Sequence, residues 1–238
     1  MEAINNLLKR HKAGRMLEVG TGSGKFIPTI LNIFHGIDEI IGIDMDAELI
    51  RQATVNYSAN KKLKFTVMNA EELEFEDNFF DTVYISNALH HIPSETKVLE
   101  EMKRVLKSEG IFFINELICD DQNEAQMSHI MYHHFNADID QRLGIYHHYT
   151  YTKQDVMDII KRNGVKIEYL YEYNESKEDV RSKQDIRLVS QACRKHMERT
   201  KEFIDHLKYK RRGEDIIDRL NRVGIQRPTQ IMIVGRID

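Results

Sequence analysis

Three glycines at alternate positions, Gly20, Gly22 and Gly24, follow the apolar run RMLEV in the segment LEVGTGSGKF, and a carboxylate, Glu18, stands just before them. Glycine weakens strand and helix interiors, so this crowding signals a sharp backbone turn or the close approach of another molecule. A strand, a glycine turn and a helix together present backbone amides to an anion or carboxylate. The spacing G-T-G-S-G excludes a phosphate-binding loop, which needs G-x-x-x-x-G-K-[ST], and departs from the dinucleotide fingerprint G-x-G-x-x-G. Taken alone, the glycines are a weak signal, and a tight strand-to-helix turn is their plain alternative. Asp44, at the end of the next apolar run, is placed to accept hydrogen bonds from both hydroxyls of a ribose. The plain alternative is a helix N-cap, a task open also to Asp46. Asn69 closes a third apolar run and offers a donor and an acceptor suited to an adenine edge, or simply a turn at a strand end.

A second concentration of reactive groups lies in SHIMYHHFNADIDQRLGIYHHYTY, which carries His129, His133, His134, His147 and His148, five of the eleven histidines. His129 and His133 are one helical turn apart, a spacing that can chelate a metal, with Glu116 and Asp120 as further donors. No complete ligand motif is present, so no metal is expected. The stretch reads as amphipathic packing with Met127, Ile130, Met131 and Phe135 as its apolar stripe. The two cysteines, Cys119 and Cys193, are too few for a disulfide framework or a four-thiolate metal site and read as buried thiols.

The elements that must position these groups alternate between short apolar runs and amphipathic stretches, the rhythm of a parallel sheet wrapped by helices. Strands are expected at RMLEVG, EIIGIDMD, KLKFTVMNA, FDTVYISNAL and IFFINEL, with helices at GKFIPTILNIFH, AELIRQATVNYSAN and SETKVLEEMKRVLKSEG, the last ending on Gly110 without a full capping box. Residues 119–150 interrupt the rhythm as a helical insertion over one edge of the sheet. Helix TKQDVMDIIKRNG and strand VKIEYLYEY resume it. A second helical insertion covers 176–228, with Val189, Cys193, Met197, Ile204 and Leu207 at helical spacing, and TQIMIVGRI is the final strand. The expected division is 1–118, 119–150, 151–175, 176–228 and 229–238.

In these motifs the chain resembles the class I S-adenosylmethionine-dependent methyltransferases, particularly their small-molecule branch. LEVGTGSG matches that family's E-x-G-x-G-x-G motif in full, and IGIDMD, VMNAEEL and FDTVYISNALHHI resemble its next three motifs in order. The resemblance covers about residues 14–118, 150–173 and 229–238. It implies a Rossmann-like, doubly wound α/β sheet of seven strands with a reversed last strand, and the two helical insertions are expected to form a cap. It further implies that Glu18 and the amides around Gly20, Thr21 and Gly22 hold the methionine part of S-adenosyl-L-methionine. Asp44 would hold the ribose, Met45 would lie against the adenine, and Asn69 and Ala70 would read the adenine edge, although the family more often has aspartate at the first of these. Ser86 and Asn87 would lie near the methionine amine and sulfonium, and His90 and His91 at the mouth of the active site. Their plain alternative is a strand-end pair that stabilises a loop. A hydroxyl or amine acceptor needs a general base, and His90, His91, His133 and His147 are the candidates.

Bulk properties agree with such an enzyme. A net charge of −4 with 30% charged residues describes an ordinary soluble protein rather than a dedicated nucleic-acid binder. No apolar run approaches the roughly 20 residues of a membrane span, and the amino terminus lacks a signal-peptide pattern, so a cytoplasmic location is expected. Residues 177–227 carry fifteen Lys and Arg against nine Asp and Glu, a surface that an RNA-methylating enzyme can use on phosphates. A solvated helical face is the simpler account, and the expected partner is a small methyl acceptor. A homodimer through the apolar faces of the insertions and a non-catalytic cofactor-binding protein are the remaining alternatives.

Overall fold

The computed structural model describes residue 8, residues 11–174 and residues 179–237. The expectations for most of the first ten residues and for the boundary at 175/176 lie outside the described residues. Seven strands form one sheet: β1 (Lys12–Val19), β2 (His35–Asp44), β3 (Leu63–Val67), β4 (Phe80–Ser86), β5 (Leu106–Leu117), β6 (Val165–Tyr173) and β7 (Gln230–Ile237). Their order is β3-β2-β1-β4-β5-β7-β6, with the last strand placed out of turn between β5 and β6, as the resemblance implies. β1 runs parallel to β2 and β4, β2 to β3, and β4 to β5. The order reverses between β1 and β4, and at such a switch point an open α/β sheet leaves a crevice beyond the carboxyl ends of its strands.

The central strands are almost continuously apolar because helices cover both faces of the sheet. Met16, Leu17 and Val19 on β1, Val83, Tyr84 and Ile85 on β4, and Phe112, Phe113 and Ile114 on β5 are all buried. Three helices contribute buried stripes: Ile27, Ile30 and Ile33 on α1 (Ile27–Ile33), Val98, Leu99, Met102 and Val105 on α3 (Glu95–Val105), and Val156, Ile159 and Ile160 on α5 (Lys153–Arg162). Each such side chain stabilises the fold by about 1.5–3 kcal/mol on leaving water. Helix α2 (Ala47–Asn56) is capped by Asp46, whose carboxylate accepts from the amides of Glu48 and Leu49.

Among the boundaries that differ from the sequence reading, two have a clear physical cause. Helix α1 begins at Ile27 rather than at the glycines, because the chain up to Phe26 is spent on the turn. Helix α3 stops at Val105 instead of Gly110, and the chain passes directly into β5. Leu106 pairs with Phe80, and the register shifts before Thr82 pairs with Ile111, so Lys107–Gly110 bulge out of the ladder. A Cβ on Gly110 would stand 2.3 Å from Leu106 Cδ1, so this glycine serves a close approach within the bulge rather than a helix end. Ser94 makes no side-chain capping bond, in keeping with the missing capping box.

The chain divides into two compact units. One takes in the chain up to Glu116, Asp155–Glu172 and the residues from Ile231 onward, and contains the sheet. The other takes in Leu117–Gln154 and Tyr173–Gln230, so the stretches expected as separate insertions fall in one unit. Its helices are α4 (Glu124–Arg142), α6 (Lys183–Glu198) and α7 (His206–Val223). Its core joins Phe135 and Ile139 of α4 to Cys193 of α6 and to Ile216, Ile217 and Leu220 of α7. Val189 and Met197 pack against that core as expected, but Ile204 and Leu207 are exposed. The chain turns between the two helices, which breaks the single helical phase that had linked these residues to Met197. Met131 is likewise 40% exposed and leaves the apolar stripe of α4. Among the described residues no helix is long and apolar enough to cross a membrane.

Candidate functional site

The glycine turn leaves β1 at the switch point. Gly20 and Gly22 have φ of +68° and +52°, in the left-handed region that favours glycine. A Cβ on Gly20 would lie 2.6 Å from the Ala88 Cβ, so the turn packs tightly against the loop after β4. The space beside Gly22 is open, its nearest neighbour being Leu49 Cδ1 at 4.0 Å. Two of the amides expected to grip a ligand are engaged within the protein. The Thr21 amide donates to Ile43 O at 2.9 Å and the Gly22 amide to Asp44 Oδ2 at 2.8 Å, so both serve the turn itself. What Gly22 offers a ligand is a bare backbone that can be approached closely.

Glu18 is 1% exposed at the foot of this turn. Its Oε2 accepts from Thr21 Oγ1 at 2.5 Å. The buried Tyr84 hydroxyl faces the same carboxyl without a hydrogen bond of regular geometry. Among the described residues no cation pairs with Glu18. Burial therefore pushes its pKa up to about 8, the Thr21 and Tyr84 hydroxyls oppose the shift, and the negative charge of Asp44 adds to it. Tyr57, whose hydroxyl donates to Gly24 O at 2.8 Å, has its own pKa raised by burial and then by Glu18.

Asp44 ends β2 and is half-buried. Besides Gly22, it accepts from the Asp46 amide through Oδ1 at 2.9 Å. The cap of α2 is Asp46, so the plain alternative for Asp44 is removed. Each of its carboxylate oxygens retains a second lone pair that can accept from a hydroxyl. Met45, beside it, is 71% exposed. Asn69 is exposed, and its Oδ1 accepts from the Glu71 amide at 3.0 Å, a turn contact that leaves this oxygen a second lone pair. Ala70, which follows, is half-buried.

Beyond β4, Ser86 is buried and its Oγ accepts from Asn87 Nδ2 and Asn115 Nδ2, each at 3.2 Å. Asn87 has φ of +48°, a conformation that asparagine tolerates better than most residues. Its amide donates to Asn115 O at 2.8 Å, and the chain then enters a short 3₁₀ turn, Leu89–His91. Glu116, fully buried on β5, accepts from the Leu89 amide at 3.1 Å and from His90 Nδ1 at 3.0 Å. His90 is 3% exposed, whereas His91 is exposed, with ring centroids 4.3 Å apart. The sequence reading grouped Glu116 with the later histidines. Pairing of Ser86 with Asn115 across β4 and β5 carries Glu116 to the loop after β4, a register that no local motif announces.

In the helical unit, His147 is buried and its Nδ1 lies 2.7 Å from Asp140 Oδ2. His147 Nε2 is 3.3 Å from His133 Nε2. Asp140 Oδ1 accepts from Arg199 Nη2 at 2.5 Å. Burial raises the pKa of Asp140, but the hydrogen bonds from His147 and Arg199 outweigh it and hold the carboxyl below its ordinary range. His134 bonds Thr150 Oγ1 at 2.8 Å, and burial lowers its pKa. The structure thus brings His147 to His133 from beyond the end of α4. Cys193 is buried with its pKa pushed up to about 11 by burial, an inert thiol, while Cys119 is only half-buried.

A shallow cleft bordered by Lys12, Asp81 and Lys107 lies at the opposite, amino ends of the strands. Its charges are matched internally, Lys107 with Asp81 at 2.6 Å and Lys12 with Asp38 at 2.7 Å, so it presents no comparable site.

Residues 17–114 match the family described as a methyltransferase domain. The ubiquinone/menaquinone biosynthesis C-methyltransferase UbiE of Citrifermentans bemidjiense is 33% identical over 107 residues, 44% of this chain and 46% of that protein. The chain thus spans less than half the length of the curated relatives it matches. The solved structure of the YcgJ protein from Bacillus subtilis superposes with a TM-score of 0.62 at 18% identity, covering 99% of this chain and 97% of that one. Phosphoethanolamine N-methyltransferase 2 of Haemonchus contortus, solved in complex with S-adenosyl-L-methionine, gives 0.57 at 20% identity, covering 99% of this chain and 51% of that one. These likenesses show the fold.

Proposed function

We propose that this chain, whose residues 17–114 are a methyltransferase domain on a class I Rossmann-like sheet, moves a methyl group from S-adenosyl-L-methionine to a nucleophilic atom of a small molecule. The observation that carries the reading is Glu18, a buried carboxyl with no cationic partner among the described residues, beneath a glycine turn whose open side adjoins Asp44. A ligand that brings an ammonium group and a ribose satisfies both acids at once. Glu18 takes the ammonium of the methionine part, and Asp44 accepts from the ribose hydroxyls through its remaining lone pairs. Met45 covers one face of the adenine. Asn69 and Ala70 border its edge, where Asn69 Oδ1 closes a turn and can still accept from the adenine amine. Ser86 and Asn87 border the methionine amine and the sulfonium. When bound, the sulfonium supplies an electrophilic methyl whose transfer neutralises a positive charge, so little new charge needs stabilising. Placement of the acceptor in a pocket that excludes water supplies several kcal/mol of the barrier reduction, within the roughly 7–11 kcal/mol that positioning can give.

His90 is the base favoured by its surroundings. Glu116 accepts from Nδ1, which leaves the lone pair on Nε2, where a proton from a hydroxyl or amine acceptor can be taken up. His91, exposed beside it, borders the entrance. Part of the basic stretch is matched within its own unit, which supports a small acceptor over RNA. Arg199 pairs with Asp140, Arg212 with Asp138 and Arg219 with Glu124. The UbiE relative, a C-methyltransferase of ubiquinone/menaquinone biosynthesis, supports the same choice. A cytoplasmic setting belongs to the same reading.

Calorimetry with S-adenosyl-L-methionine and with its demethylated product tests the cofactor. Stoichiometric binding is expected, and absence of both heat and thermal shift on folded protein overturns the reading. Release of S-adenosylhomocysteine with a small acceptor then separates an enzyme from a protein that only binds the nucleoside. Salt-sensitive binding and methylation of transfer RNA, with no small acceptor used, would move the substrate to nucleic acid.

A further inference from the structure

His133 lies on α4 and His147 in the segment that follows it, and their rings meet at 88° with Nε2 atoms 3.3 Å apart. Two imidazoles share a proton at that separation only if one turns an N–H toward the other. In its neutral form His147 presents the Nε2 lone pair, because its Nδ1 proton goes to Asp140, so the contact is either a hydrogen bond donated by His133 Nε2–H or two lone pairs that can close on one cation. Asp140 is itself fixed from the other side by Arg199, which also bonds Asn136 Oδ1 at 3.2 Å. A carboxylate behind one ring nitrogen, with the other nitrogen presented outward, is the arrangement that orients metal-ligating histidines and raises their basicity. Two nitrogens each about 2.0–2.1 Å from a tetrahedral zinc ion stand about 3.3–3.4 Å apart, the separation found here. Buried Phe135 and Ile139 anchor the stretch of α4 that carries His133, so the pair is held by packing as well as by hydrogen bonds.

We propose that His133 and His147 are ligands of a divalent transition-metal ion of the zinc type, oriented by Asp140 and Arg199, with the remaining coordination positions taken by water or by donor atoms of a bound molecule. The site replaces the pair along α4 that spacing suggested: helix periodicity set His129 beside His133, whereas the chain beyond α4 returns His147 to it.

The full chain, stripped with a chelator, is titrated with Co²⁺ and with Zn²⁺ alone. One equivalent is expected to bind at micromolar concentration or below, with visible absorption bands of low-symmetry Co²⁺. His133→Ala and His147→Ala should each weaken binding at least a hundredfold, Asp140→Asn ten- to hundredfold, and His129→Ala should leave it unchanged. Circular dichroism checks that each variant is folded. Where His147→Ala fails that check, His147→Gln, which keeps a polar group within reach of Asp140, carries the same expectation. No stoichiometric binding by the folded parent chain, binding that survives both histidine variants, or loss on His129→Ala overturns the proposal. The residues are separate from the glycine turn, so such a failure leaves the cofactor reading untouched.

Discussion

Two buried acids in this chain titrate in opposite directions. Glu18, in the sheet unit, has hydroxyls and no cation beside it among the described residues, and burial lifts its pKa to about 8. Asp140, in the helical unit, is also desolvated, yet His147 and Arg199 bring it below its ordinary value. The difference separates a carboxyl whose counter-charge is built into the fold from one whose counter-charge must come from outside. A buried acid without a built-in cation is costly to keep ionised, and a cationic ligand removes that cost.

The strongest way to break this comparison is Glu18→Gln. A group whose folded pKa is raised holds its proton more tightly folded than unfolded. Stability of the ligand-free protein should therefore fall as pH rises from the ordinary carboxyl range toward 8, by roughly 4–5 kcal/mol in all. The variant should flatten that slope in urea denaturation between pH 5 and 8 and weaken S-adenosyl-L-methionine at least a hundredfold. An unchanged slope would show that Glu18 already has a partner. Calorimetry of cofactor binding near pH 7 in buffers of different ionisation enthalpy should also register a released proton.

Asp140→Ala tests the other acid. It leaves the buried Nδ1–H of His147 and a face of Arg199 without their acceptor, and should cost about 1–3 kcal/mol in chemical denaturation. The pH dependence has the reverse sign. Stability from a depressed carboxyl is present above its unfolded pKa and is lost as pH falls through the folded value, so the parent and the variant should converge in acid.

Smaller changes sharpen the boundary between ligand contact and scaffold. Gly20→Ala places a Cβ against Ala88 in a left-handed backbone and should cost about 1–2 kcal/mol while lowering cofactor affinity. Asp46→Ala should remove about 1 kcal/mol of helix capping in thermal melts and leave cofactor affinity unchanged, because the ribose falls to Asp44. Equal losses of affinity on replacing Asp44 and Asp46 would erase that distinction.

The legible parts of the sequence are those in which one local rule suffices. Glu18, the glycines and Asp44 announce themselves because strand ends, left-handed turns and helix starts each demand particular residue types over a few positions. The end of α3 was illegible because KSEG imitates a helix terminus, and only the pairing of Leu106 with Phe80 decides otherwise. Ile204 and Leu207 continue the apolar phase of α6 across a turn that contains neither glycine nor proline, so periodicity ran past the true helix end. The contacts of His90 with Glu116 and of His133 with His147 join residues 26 and 14 apart. Strand register and a returning segment create them, and neither is encoded in helical spacing.

Because β6 joins the sheet only through β7, the last strand acts as a keystone. As the chain leaves the ribosome, the six earlier strands are made first, and the sixth has no neighbour until Gln230–Ile237 emerges. Until then β5 presents a bare edge, an invitation to chaperones or to a second nascent chain. A frameshift or proteolytic nick within these final residues would therefore unmoor β6 and open the sheet, while the glycine turn on the far side of β4 and β5 kept its own strand partners.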